Sequence, residues 1–319
     1  MLEKELVTKH RVPDTREEWL KDRMAGIGGS DAGTILGFNR YKSAYSLWAE
    51  KTGLITPPDV DNEAMRVGRD LEDYVAHRFM EITGKKVRKS SFSYKSNEHP
   101  YMLANVDRLI VGEDAGLECK TASALTRVRY DKGNIPESYY AQCVHYMAVT
   151  GAKCWYIAVL VMGRGFYWWK VERDEEEINS LIVEEKLFWD LVQTKQPPEI
   201  DGSESTEETL KMLYPDADLE SDVDCTLVET HVEALVDVNE QINKLTAAKK
   251  TLENQIKGFL EESCYGHTRE YKITYKPTKP RVTVDSKKLQ NEYPAVYDAV
   301  LKTGKPTRPF KLEKLKKED

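Results

Sequence analysis

The sequence predicts an α/β fold: a mixed central sheet flanked by helices, then a helical extension at the C-terminal end. Three observations carry this. Met65, Gly68, Leu71, Val75 and Phe79 recur at helical spacing. Short alternating or apolar runs, such as 104–111 and 155–162, read as strands between helical segments. Past residue 226, Leu235, Val238, Ile242, Leu245, Leu252, Ile256 and Phe259 follow a 3–4 spacing that only Lys249 interrupts.

In chain order, residues 16–24 form a helix anchored by Trp19 and Leu20. Gly26-Ile27-Gly28-Gly29 is a glycine-rich turn, and Ser30 is suited to opening a short helix. Ser43 caps a helix through Trp48. A long helix over 61–83 ends at Gly84. Two or three strands follow, with 104–111 and 117–121 joined by a tight turn. A helix over 136–150 ends at Gly151, and 155–162 with 166–171 form a hairpin around Gly163-Arg164-Gly165. Tyr167, Trp168 and Trp169 are read as hairpin core. A helix over 175–195 stops at Pro197-Pro198.

These elements divide the chain into a domain over 1–198, an acidic linker over 199–225 and a helical extension with a basic tail over 226–319. Between 199 and 229 acids outnumber bases eleven to one, the pattern of a solvated connector. The heptads beyond it suit a helical hairpin, a short coiled coil or an amphipathic helix packed on its own chain. Residues 271–275 alternate like a strand, and Ser286 caps a helix to about 301, interrupted or kinked near Pro294.

Chemistry concentrates at Asp107 and at Gly116-Leu117-Glu118-Cys119-Lys120. Side chains alternate along a strand, so Glu118 and Lys120 share a face and Cys119 takes the other. A hairpin would bring Asp107 beside Glu118. Two carboxylates at about 4 Å repel by roughly 4 kcal/mol at an effective dielectric near 20. A divalent cation removes that repulsion, and oxygen donors suit Mg²⁺ or Mn²⁺ rather than zinc. Lys120 would orient the attacking water or stabilise charge on a phosphate.

The order of a helix with an acid, a strand with Asp, a strand with Glu-x-Lys and a helix with Gln is more specific than the motif alone. It is similar to the PD-(D/E)xK restriction-endonuclease-like core. More closely, residues 16–191 resemble the YqaJ-like viral recombinase family, relatives of the lambda exonuclease. The resemblance implies that Glu72, in Val67-Gly68-Arg69-Asp70-Leu71-Glu72, is the helix-borne glutamate near the metal. It implies Asp107, Glu118 and the Cys119 carbonyl as metal ligands and Lys120 as the catalytic lysine. Gln142 and Tyr146 match a Gln-x-x-x-Tyr element, which implies Gln142 as a catalytic residue and Tyr146 as a contact for DNA. Trp19, Arg23 and Ser30 fall at the family's spacing, Arg23 and Ser30 as ligands of a 5′-terminal phosphate. Two positions depart from the pattern: Val106 replaces a usual proline and Arg108 a frequent glycine. Arg108, opposite in phase to Asp107, is left to contact DNA or to pack. Asn105 stands where a small hydroxyl residue is common and is a further candidate for phosphate contact. His145, three residues after Gln142, is read as a core or supporting side chain.

The resemblance implies a Mg²⁺-dependent 5′→3′ exodeoxyribonuclease, with Mn²⁺ as substitute, acting on ends of double-stranded DNA and leaving 3′ overhangs. It also implies a single-strand annealing protein as partner and a ring-shaped homo-oligomer. Two alternatives stand beside this: a structure-specific or restriction-like endonuclease of the same fold, and a non-catalytic protein recruiting a recombination partner.

Composition bounds these readings. The 319 residues carry a net charge of −7, with 32% charged and 40% hydrophobic residues, which argues against a protein that coats nucleic acid nonspecifically. Charge is segregated, however: from residue 276 onward twelve bases face six acids, and basic runs lie at 85–89 and 127–132. The five cysteines, 119, 143, 154, 225 and 264, form no Cys-x-x-Cys pair, so neither a zinc site nor a disulfide framework is supported. No apolar run reaches membrane-spanning length and no signal-peptide pattern opens the chain, so a cytoplasmic location without membrane contact is expected.

Overall fold

The computed structural model describes residues 6–11, 15–56, 62–126, 130, 134–304 and 308–314. Contacts divide the chain into two units, Met1–Pro215 and Asp216–Asp319. Most of the basic run at 127–132 and the side chain of Trp19 lie outside the described residues.

Unit one opens with a strand that hydrophobic patterning does not announce, β1 (Val7–Arg11), in which only Val7 turns inward. Helix α1 (Arg16–Met24) follows, capped by the Thr15 hydroxyl accepting from the Glu18 N–H. A short strand β2 (Ile27–Gly28) runs into α2 (Gly29–Ile35). Helix α3 (Ala44–Lys51) is capped by Ser43. Helix α4 (Glu63–Thr83) begins with the Asn62 side chain accepting from the Met65 N–H at 2.9 Å and ends at Gly84, whose φ of 71° is left-handed.

The stretch read as two or three strands holds five. They are β3 (Val87–Lys89), β4 (Phe92–Ser96), β5 (Met102–Asn105), β6 (Arg108–Ile110) and β7 (Ala115–Ala122). The strand expected over 104–111 is broken at Val106-Asp107, and its halves belong to different sheets. Helix α5 (Glu137–Thr150), the hairpin β8 (Cys154–Val161) and β9 (Gly165–Glu172), and α6 (Glu175–Thr194) follow the expected order.

One sheet has the order β1-β4-β5-β2, the other β3-β6-β7-β8-β9. The larger sheet is mixed: β7 and β8 are parallel, and the other pairs are antiparallel. Strand β8 is apolar on both faces because helices cover both. Tyr156 and Ala158 pack with Val75, Ala76 and Phe79 of α4, whereas Ile157 and Val159 join the cluster that holds Cys143 and Met147 of α5. Burying side chains of this size contributes roughly 1.5–3 kcal/mol each. Gly116 is required here: a Cβ would stand 2.1 Å from the Trp155 ring.

The acidic stretch expected as a connector contains α7 (Glu204–Leu213). Its acids point outward, but Thr206 and Thr209 are buried and bond the hydroxyls of Ser43 and Ser46 at 2.8 and 2.7 Å. Unit one therefore runs past residue 198 to 215.

Unit two contains one unbroken helix, α8 (Glu229–Leu260), rather than a helical hairpin. A small hairpin follows, β10 (Tyr265–His267) with β11 (Lys272–Thr274), then α9 (Ser286–Glu292) and α10 (Pro294–Val300). Asp285, not Ser286, caps α9 by accepting from the Lys288 N–H. The helix is interrupted near Pro294, one of the two outcomes expected there, and Pro294 opens α10. Among the described residues, no helix is long and apolar enough to cross a membrane.

Candidate active site

The break between β5 and β6 places Asp107. Pairing of β6 with β7 ends at Arg108 opposite Leu117, so the backbone of Cys119 has no β6 partner in the ladder. The Asp107 carboxylate takes that place and accepts from the Cys119 N–H at 2.8 Å. The N–H and C=O of a strand residue point to the same side, so the Cys119 carbonyl also faces Asp107. Burial holds the Asp107 carboxyl well above the usual carboxylate range, and the neighbouring Glu118 charge adds to this.

Strand alternation turns Glu118 and Lys120 toward α5. Glu118 is buried, and its Oε1 accepts from Lys120 Nζ and from Gln142 Nε2, both at 2.7 Å. Its Oε2 is buried with no hydrogen-bond partner. Burial works against the Lys120 ammonium, but the Glu118 and Asp107 charges more than offset it. The pKa of Lys120 therefore lies above the ordinary lysine range. Lys120 is thus held as a cation by the two acids in this arrangement. Its Nζ also lies 5.5 Å from the centroid of the Tyr139 ring.

Gln142 extends the network. Its amide donates to the Tyr146 hydroxyl at 2.8 Å, which donates to the Asn105 carbonyl at 2.9 Å. Burial, with the Glu118 and Asp107 charges, pushes the Tyr146 phenol up, so it remains a donor. Tyr146, expected as a contact for DNA, is thus a buried brace for Gln142. Asn105 enters the network through its carbonyl.

Glu72 comes from the opposite face, on α4. Arg108 bonds Glu72 and Asp73 and donates to the Asp107 carbonyl at 2.7 Å. Arg108 is only 3% exposed, so of the two roles left open for it the structure shows packing. Glu72 adds to the potential that raises Asp107, yet Arg108 holds it. Among the described residues, no three His, Cys, Asp or Glu side chains converge as a metal-binding group. The arrangement offers two carboxylates and a carbonyl, with Glu72 beside them.

A divalent cation fits these donors. They are all oxygens, one buried carboxylate oxygen lacks a partner, and the buried Glu118 and half-buried Asp107 repel each other. The Cys119 thiol, pushed far up by burial, is not a ligand or nucleophile at neutral pH.

Arg23 and Ser30 are brought together as expected: Arg23 Nη2 donates to Ser30 Oγ at 3.1 Å. The sequence did not reveal what fixes them. Buried Asp31 accepts from Arg23 at 3.2 Å and pairs with buried Lys51 at 2.9 Å. Burial would raise the Asp31 carboxyl, but Lys51 and Arg23 hold it below its usual value. Lys51 Nζ also bonds the Arg23 and Gly26 carbonyls at 2.6 and 2.7 Å. The one sequence signal was a lysine ending a helix whose neighbours are apolar. This cluster adjoins the carboxylates, because a Cβ on Gly29 would meet the Tyr146 ring at 2.5 Å and Gln142 Cγ at 3.1 Å.

His145 lies apart from this chemistry. It is fully buried between Glu185 (2.7 Å) and the Leu103 carbonyl (2.9 Å), a supporting role as expected. In the β8–β9 hairpin Trp169 is buried, whereas Trp168 is partly exposed against Phe79.

Residues 18–153 match a family described as the YqaJ-like viral recombinase domain. The protein YqaJ of Bacillus subtilis (strain 168) is 41% identical over 292 residues, covering 90% of this chain and 91% of that protein. The alkaline exonuclease LHK-Exo of Laribacter hongkongensis is 19% identical with a TM-score of 0.46, covering 56% of this chain and 94% of that one. A phage related exonuclease from Haemophilus somnus 129PT is 13% identical with a TM-score of 0.39, covering 53% and 96%.

Proposed function

Because the chain belongs to the YqaJ-like viral recombinase family, we propose that it is a Mg²⁺-dependent 5′→3′ exodeoxyribonuclease on ends of linear duplex DNA. The observation that carries this is Glu118. One oxygen is gripped by Lys120 and Gln142, the other is buried without a partner, and Asp107 stands beside it. Glu185 Oε2 is also buried without a partner, so what sets Glu118 apart is the second, half-buried carboxylate of Asp107 beside it, whose repulsion a cation would relieve.

In this reading unit one has a PD-(D/E)xK core and unit two is a coiled-coil extension. Asp107, Glu118 and the Cys119 carbonyl would hold the cation, and Glu72, bound by Arg108, would add its charge to the site. When bound, a divalent cation lowers the pKa of water and offsets charge on the scissile phosphate. Lys120, fixed as a cation by two acids, stabilises negative charge developing on the phosphate oxygens. Gln142, braced by Tyr146, holds Glu118 and orients the attacking water. Arg23 and Ser30 bind a 5′-terminal phosphate and set the polarity, and the product is a 3′ overhang. A single-strand annealing protein receives that strand, and a ring-shaped homo-oligomer encloses the duplex.

The test is digestion in Mg²⁺ of three DNAs: 5′-phosphorylated linear duplex, 5′-hydroxyl linear duplex and covalently closed circle. Preferential loss of the phosphorylated linear DNA supports the proposal. Cutting of the circle replaces it with an endonuclease, and no cutting of any substrate in Mg²⁺ or Mn²⁺ removes the nuclease reading.

A further inference from the structure

Helix α8 has 32 residues, and its apolar stripe faces solvent: Leu245, Leu252 and Phe259 are 70%, 60% and 90% exposed. A long helix is stable mainly through burial of such a face. The stripe repeats every seven residues from 235 to 259 without a slip. A straight helix packed on a globular neighbour follows a period of about 3.6, whereas a sustained period of 3.5 belongs to helices that supercoil around each other.

The residue types specify the partner. Leu235, Ile242, Lys249 and Ile256 occupy the first core position of each heptad, and Val238, Leu245, Leu252 and Phe259 the second. Ile242 with Leu245 is the pairing that favours two parallel strands, and the single lysine at a first position, Lys249, fixes register at a cost in stability. Flanking positions carry almost no charge: Gln241, Ala248 and Gln255 on one side, Asn239, Thr246 and Glu253 on the other. Two identical copies thus meet without like-charge repulsion at the flanks. Lys249 lies 3.7 Å from Glu253 on its own helix, which lowers the cost of the one polar layer.

We propose that the 235–259 face of α8 is the interface of a parallel, in-register, two-stranded coiled coil between two copies of this chain. The inference does not depend on the nuclease reading.

The test uses the full chain with the exposed or partly exposed Cys225 and Cys264 replaced by serine. In a parallel in-register pair each core residue meets its own copy, so under mild oxidation a Leu245→Cys protein should link to itself. An Ala247→Cys protein, on the outer face, should link at least about tenfold less. By light scattering, Leu245→Glu/Leu252→Glu should lower the wild-type mass by half, with helix content kept by circular dichroism. Equal linking at 245 and 247, no linking at 245, or an unchanged mass in the double glutamate variant would each overturn the proposal. So would a different protein or another part of this chain covering the stripe, because neither brings residue 245 to its own copy. Cleavage assays on the same samples read the nuclease proposal separately.

Discussion

The Gln142 amide donates to Glu118 Oε1 at 2.7 Å, the same oxygen that Lys120 holds, and this leaves Glu118 Oε2 as the free donor. Gln142 therefore fixes which carboxylate oxygen is left for the proposed cation. Gln142→Ala is expected to lower cleavage by roughly 10- to 100-fold, the usual effect of removing a group that orients a ligand. The loss should be partly recovered by raising Mg²⁺. Unchanged rates at limiting Mg²⁺ would remove Gln142 from the site.

Both Arg23 and Lys51 pair with Asp31, but the Arg23 side chain is 32% exposed and that of Lys51 only 4%, so Arg23 is the one a ligand can reach. Losing a charge-assisted bond to a terminal phosphate costs about 1.5–3 kcal/mol. Arg23→Ala should slow digestion of 5′-phosphorylated ends by roughly 10- to 100-fold and leave 5′-hydroxyl ends unchanged. Equal slowing on both ends would show that Arg23 supports folding rather than phosphate binding.

Gly116→Ala places a methyl group inside the Trp155 ring contact. Overpacking of this kind typically costs about 1–3 kcal/mol. Denaturant unfolding should show that loss, whereas Gly202→Ala, with open space around it, should be near neutral. A Gly116→Ala protein as stable as wild type would mean that Trp155 is not held against β7.

The His145–Glu185 pair predicts a pH dependence of stability. Burial alone would lower the imidazole pKa, but the Glu185 charge and the hydrogen bonds to Glu185 and Leu103 raise it. The Glu185 carboxyl is raised by burial, despite His145. A raised folded pKa gives stability that is complete below the unfolded imidazole value, near 6.5, and is lost as pH rises through the folded value. Unfolding free energy should therefore fall above about pH 6.5, by at most about 1.4 kcal/mol per pH unit for one proton. His145→Asn/Glu185→Gln should flatten that slope, and a wild-type slope equal to the double variant's would refute the assignment.

What the sequence disclosed depended on which interaction built each part. Asp107, Glu118 and Lys120 were readable because strand alternation and a hairpin are local rules. Gln142 and Tyr146 came from the resemblance to the family, and their spacing of four residues is one helix turn. The break at Val106-Asp107 was hidden because 104–111 holds no glycine or proline to mark a stop, and the Asp107 bond to the Cys119 N–H shows why the strand ends there. Helix α7 was missed for a different reason: its contact with α3 is made by hydroxyls of Thr206, Thr209, Ser43 and Ser46, which hydrophobic patterning counts as polar. The buried ties of Arg108 to Glu72 and of Lys51 to Asp31 join residues 20 or more apart. Nothing in local spacing marks such pairs.

The most direct measurement is the single-turnover cleavage rate of a 5′-phosphorylated linear duplex in Mg²⁺ for wild type, Glu118→Ala and Lys120→Ala, each shown to be folded by circular dichroism. The account predicts cleavage by wild type and a loss of at least about a hundredfold in each variant. Wild-type rates in either variant, or a wild-type protein that leaves the duplex intact in both Mg²⁺ and Mn²⁺, would contradict it.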